Sequence, residues 1–165
     1  MGIFPFFGII HLFFPIPATM PKFDEYGEFL HNRSDMARRT KDWLRQAERD
    51  LQHARNSLAS ADYEWACFAA QQSAEKAVKA LHQHLGREAI GHSVLKLLRD
   101  LGEELGIEER LLKIGADLDK YYIPTRYPNG FFSGAPMDYF HREDAEEAIM
   151  NAEEILRFVK GKING

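Results

Sequence analysis

With 165 residues, 45% of them hydrophobic and 28% charged, the chain has the length and composition of one globular domain with a sizeable core. A net charge of −4 excludes a nucleic-acid binder that works through an overall basic field and leaves room only for a local basic patch. The lone cysteine, Cys67, excludes an internal disulfide or a multi-cysteine metal site and suits a reducing, cytoplasmic setting.

Residues 1–34 differ from the rest. The first 21 hold five Phe, four Pro and no charge, and the first basic residue is Lys22. A secretory signal opens on basic residues, and Pro5, Pro15 and Pro17 oppose a membrane-spanning helix. This segment is expected to be a disordered or mis-assigned extension, Met20 and Met36 being alternative starts. A weak membrane or partner anchor, or a signal, are the other readings for it; nothing else suggests a membrane. Residues 35–160 form the expected domain and 161–165 a tail.

From Ser34, a candidate cap, Trp43, Ala47, Leu51, Ala54 and Leu58 recur at helical spacing and predict the first helix. Asp62 is placed to cap a second helix with an alanine-rich stripe, Ala66, Ala70, Ala74, Ala77 and Leu81, ending at Gly86. Cys67 lies in that helix among small and aromatic residues and reads as core rather than as a nucleophile. Ser93 opens a third helix carrying Val94, Leu97, Leu98, Leu101 and Leu105, which stops at Gly106. A fourth is expected from Glu108 to Tyr122, with Leu111, Leu112, Leu118 and Tyr121 inward. The last starts near His141, has Glu143 and Asp144 in its first turn as the helix dipole favours, and buries Ala145, Ile149, Ala152, Leu156 and Val159. No stretch alternates with period two for long. The fold class is therefore all-α: an up-and-down antiparallel four-helix bundle core with a fifth helix and a long loop before the last one.

On the second helix, Gln71, Glu75 and Lys79 lie four apart with Gln72, Lys76 and Gln83 beside them. Glu75 to Lys79 is the favourable i,i+4 order, about 0.3–0.5 kcal/mol on a solvated helix. A wet surface face explains this pattern; two amides and two lysines on one face also offer donors for phosphate or base edges. His82 and His84 point to opposite sides of a helix, so no shared metal is expected, and His53 reads as an exposed helix residue. The chain has no glycine-rich phosphate loop and no GxSxG, and no cofactor is expected.

The segment from Ile123 to Phe140 is long for a connection, and such loops are usually functional. Pro124 and Pro128 bracket Arg126 and restrict the backbone around it. A guanidinium held this way suits phosphate, and the neighbouring tyrosines could stack a base. The structural alternative is a clamp, with Arg126 bonding helix-end carbonyls and the aromatics plugging the bundle.

Trp43-Ala47-Asp50-Leu51-Ala54, then QQSAEKAVKALH, GHSVLKLL, LDKYYIPTRYPNG and a closing helix after YF occur in this order. Together they resemble the HEPN domain family of bacteria and archaea over about residues 35–160. The resemblance implies a five-helix, commonly dimeric bundle that associates with nucleotide or RNA. It also implies a toxin–antitoxin-type pair with a minimal nucleotidyltransferase. In some branches it implies a metal-independent endoribonuclease, whose Arg is followed after four to six residues by His. Behind Arg126 that spacing falls on Phe131, Phe132 and Ser133; His141 lies farther on, and Asn129 stands where relatives often have Asp. Arg87 and His92 match the spacing, but in the connection ahead of the third helix. The nucleotide- or RNA-binding residues expected are Lys76, Lys79, His92, Tyr121, Tyr122, Arg126 and Tyr127, with Arg126, His92 and His141 as catalytic candidates. A non-catalytic dimerisation or interaction domain is the third reading.

Overall fold

In a computed structural model, which describes residues 33–165, five α-helices carry the described residues. They are α1 (Arg33–Ala59), α2 (Tyr63–His84), α3 (Val94–Leu105), α4 (Glu109–Asp119) and α5 (Arg142–Asn164). The expected extension up to residue 32 lies outside the described residues, as do the side chains at 33–38, including the Ser34 cap, and at 103–104. Residues 161–164, set apart as a tail, continue α5.

The all-α bundle expected from the periodicity is the fold observed. α2 lies at its centre and packs against each of the other four helices. The reason is its composition: Ala66, Ala69, Ala70, Ala74, Ala77 and Ala80 are all buried, so neighbouring backbones come close with no large side chain between them. Ala47, Leu51 and Ala54 of α1 and Ala148, Ala152, Ile155 and Val159 of α5 fill the space on either side. Leu97, Leu98 and Leu101 of α3 and Leu118 of α4 complete the same core cluster.

The ends of the helices follow local chemistry. α2 stops at Gly86, whose φ of 76° is left-handed. There Gly86 N–H donates to the Gln83 carbonyl (3.1 Å) and Arg87 N–H to the His82 carbonyl (2.9 Å), the paired bonds of a glycine-terminated helix. Ser93 caps α3 by accepting from Lys96 N–H at 3.0 Å. Asp62, expected to cap α2, makes no side-chain cap bond; its ψ of 69° departs from the extended geometry that a capping residue adopts.

α4 ends at Asp119, three residues before the expected Tyr122. Pro124 accounts for this. Its ring lacks an N–H and collides with the carbonyl four residues back, which is Lys120. The chain tightens into successive turns from 120 to 126, closed by Tyr121 N–H to Leu118 O (3.0 Å) and Arg126 N–H to Ile123 O (3.1 Å).

Cys67 is fully buried on α2. Burial first, then the charges of Asp144 and Glu64, push its thiol from 9.0 up to about 12. The folded protein thus keeps a proton that the unfolded chain gives up. The stability tied to this thiol should be complete below pH 9.0 and lost progressively as pH rises to about 12. Urea midpoints measured across that window should fall less steeply for Cys67→Ala than for wild type.

Candidate functional site

One face of α2 carries Trp65, Phe68, Gln72, Glu75 and Lys79, spaced three, four, three and four residues apart, so they rise in a row. The upper part of this row is polar and was expected to be solvated. It is not: Glu75 is buried, as is Gln71 beside it. The connection between α2 and α3 folds over them and brings its own polar groups.

Glu75, only 4% exposed at its side chain, is the hub. Its Oε1 accepts from Lys79 Nζ at 2.9 Å and its Oε2 from Gln72 Nε2 at 3.0 Å. His92 Nδ1 lies 3.2 Å from Oε1 and 3.3 Å from Oε2. Gln71 Nε2 donates to the backbone carbonyl of His92 at 2.9 Å, so the residue that meets Glu75 is also tied down through its main chain. Lys79 in turn sits 5.8 Å above the ring of Trp43 on α1.

His92 is 55% exposed despite its bond to Glu75. Its ring stacks on Tyr122, with centroids 4.7 Å apart and planes 15° from parallel. Arg126 meets the same tyrosine: its guanidinium carbon lies 4.6 Å from the Tyr122 ring, 4.4 Å from Phe68 and 5.1 Å from Tyr127. Such contacts favour the cation and restrict its plane.

The clamp expected as the structural alternative for Arg126 is present as well. Nε and Nη2 both donate to the Tyr122 carbonyl, at 2.8 and 2.5 Å. Thr125 Oγ1 does the same for the Tyr121 carbonyl at 2.6 Å. The two side chains supply donors to carbonyls near the end of α4, where the helical backbone stops. Nη1 makes no hydrogen bond among the described residues and is what Arg126 can offer to a ligand.

The predicted binding residues therefore divide. His92, Tyr122, Arg126 and Tyr127 form one contiguous cluster, joined by Phe68 and, edge-on to Phe68, by Trp65. Lys79 joins through Glu75. Lys76 is one step away, occupied by Asp50 Oδ2 at 2.5 Å and by Gln72 Oε1 at 3.1 Å. Tyr121 faces the other way, edge-on to Phe140, and burial pushes its phenol pKa upward. His141 sits at the start of α5, where its N–H donates to Asp144 Oδ2 at 2.8 Å. Arg87 reaches the Asp100 carbonyl at 3.5 Å, and His92 turns instead to Glu75 and Tyr122. Phe68, Trp65 and the hub role of Glu75 were missed by residue type alone. Their three-and-four spacing with Gln72 and Lys79 was the available signal.

The profile of the HEPN domain family matches residues 40–162. The chain belongs to the HEPN family. Every member of the cluster lies within the matched span. Among curated proteins, this HEPN chain is 32% identical over 127 residues to a Methanocaldococcus jannaschii protein named "Putative toxin MJ1304", covering 72% of this chain and 84% of that one. Among solved structures, TT1696 of Thermus thermophilus is 51% identical with a TM-score of 0.74, over 75% of this chain and 98% of that one. ST0689, an archaeal HEPN homologue, is 44% identical with a TM-score of 0.65, over 75% and 97%. A HEPN domain protein of Thermotoga maritima is 36% identical with a TM-score of 0.62, over 74% and 98%. Among the described residues, no helix of the HEPN domain is long and apolar enough to cross a membrane.

Removing the Glu75 carboxylate leaves Lys79 and Gln72 without their partner in a largely desolvated place. Glu75→Leu should therefore cost about 3 kcal/mol. Glu75→Leu with Lys79→Met should cost clearly less than the two single changes summed, a coupling that urea unfolding of the three variants measures.

Proposed function

We propose that this HEPN domain binds a nucleotide or an RNA phosphodiester through Arg126 and His92, the two cationic or protonatable groups stacked on Tyr122. In that reading it acts in the cytoplasm as the toxin-type half of a pair with a minimal nucleotidyltransferase, and works as a homodimer. The observation that carries the proposal is the shared ring. Tyr122 holds a guanidinium with Nη1 uncommitted and an imidazole whose Nδ1 is engaged by Glu75, leaving Nε2 for a ligand. A phosphate between them would accept charge-assisted bonds from Arg126 Nη1 and, when the imidazole is protonated, from His92 Nε2–H, and the exposed faces of Trp65 and Tyr127 suit an unstacked base. The name of the Methanocaldococcus relative supports the toxin-type role.

One observation favours a second reading, a metal-independent endoribonuclease. A carboxylate on Nδ1 holds the tautomer with a bare Nε2, as a general base requires. His92 would take the proton of a 2′-hydroxyl as its oxygen attacks phosphorus and the bond to the 5′-oxygen breaks. The proton would then pass to that 5′-oxygen, leaving a 2′,3′-cyclic phosphate, while Arg126 holds the phosphoryl charge.

Fluorescence anisotropy with a labelled single-stranded RNA in EDTA tests the binding. Arg126→Lys keeps the charge but loses the planar fork, and His92→Ala removes the imidazole. Each should weaken binding by about tenfold or more, the scale of one charge-assisted hydrogen bond, with the helical fold retained by circular dichroism. Unchanged affinity in both would overturn the proposal. A cyclic-phosphate product that disappears in both variants would establish the second reading, whereas intact RNA would leave a binding module.

A further inference from the structure

We infer that Asp119 is the positioning residue of this site: from the end of α4 it holds the start of α3 where the His92 ring lies flat on Tyr122. The inference deepens the proposed function, and its ligand-binding arm rests on that reading. Its structural arm does not.

The two halves of the cluster come from separate segments. His92 belongs to the connection leading into α3, and Tyr122 with Arg126 to the turns leaving α4. No helix is shared between them, so something must fix their relative position. Asp119 stands three residues before Tyr122, and its partners begin one residue after His92. Its Oδ1 accepts from Val94 N–H at 2.7 Å, and its Oδ2 from Ser93 Oγ at 2.6 Å and Leu95 N–H at 3.2 Å. These N–H groups belong to the first turn of α3, which has no intrahelical acceptors for them. A carboxylate has lone pairs enough for all three and the charge that the helix start favours. An asparagine would have to turn its NH2 toward one of these donors.

A second observation shows that the joint has little slack. Gly115, one turn earlier on α4, lies directly under the same turn of α3. A Cβ there would come within 3.0 Å of Leu95 N and 3.1 Å of Leu95 Cα, tighter than backbone normally allows. The α4 surface therefore touches α3 through a glycine and bonds it through a carboxylate, side by side. Asp119 itself touches neither Arg126 nor the ring faces left for a ligand, so its effect on the site passes through His92.

The test reads the His92–Tyr122 stack directly. In wild type, the Cε1 proton of His92 should show an upfield ring-current shift in 1H–13C NMR spectra that Tyr122→Leu abolishes. Asp119→Asn should lose most of that shift while circular dichroism reports the helices intact. Val159→Ala, a core change on α5, should lower the thermal midpoint and leave the shift in place, separating position from general stability. If Asp119→Asn does not fold, Asp119→Ala, which removes all three acceptor contacts without turning an NH2 toward the donors, decides in the same sense. A folded variant of either kind that keeps the wild-type shift overturns the inference. In the same RNA titration, Asp119→Asn should weaken binding about as much as His92→Ala does. A lost shift with unchanged RNA affinity would uphold the positioning role and count against the binding reading alone.

Discussion

A carboxylate taken out of water must find its hydrogen bonds inside the protein, because desolvating it costs several kcal/mol. Glu75 is in that position on α2, and much of the site follows from how it is satisfied. Three partners, Gln71, Gln72 and Lys79, come from its own helix, within one turn. The fourth, His92, comes from the connection to α3, so the connection must close over the helix for the charge to be tolerated. Gln71 reinforces this by holding the main chain of His92. Once the imidazole is oriented by Glu75, its outer face meets Tyr122, and Tyr122 in turn receives Arg126 on both its ring and its carbonyl. A single desolvated charge thus sets a line of contacts that runs from the alanine-lined centre of the bundle to its surface.

Arg126 has two roles that share one side chain. One edge of its guanidinium replaces a backbone donor at the end of α4, where Pro124 forbids another helical turn. Nη1 remains. A guanidinium already fixed by its own carbonyl bonds and by three aromatic rings has little rotamer freedom left to lose when a phosphate arrives. The structural and the binding readings of this arginine are therefore compatible, and the first assists the second.

The core was legible in the sequence because alanine and leucine at helical spacing say both which face is buried and how closely it packs. Gly86 and Ser93 were legible because each has a local stereochemical reason to end or start a helix. The polar face of α2 was misread as solvated for a physical reason: periodicity tells which side chains share a face, not what covers it. The covering segment, residues 85–93, is aperiodic and carries no such signal. Tyr121 and Tyr122 show the same limit. They are adjacent in sequence, but a helical turn sends them to different sides, one to Phe140 and one to His92. The early end of α4 is legible in Pro124 and the carbonyl four residues before it, which outweigh the apolar spacing that runs on to Tyr121.

In the proposed reading, Arg126 and His92 form one ligand site and are not two unrelated surface features. A double-mutant cycle on RNA affinity, using Arg126→Lys, His92→Ala and the combination, measures this most directly. Groups that grip one phosphate should show a coupling of about 1 kcal/mol or more, the double variant binding clearly better than the two losses summed would allow. Strictly additive losses would mean that the two residues act apart, and would contradict the account.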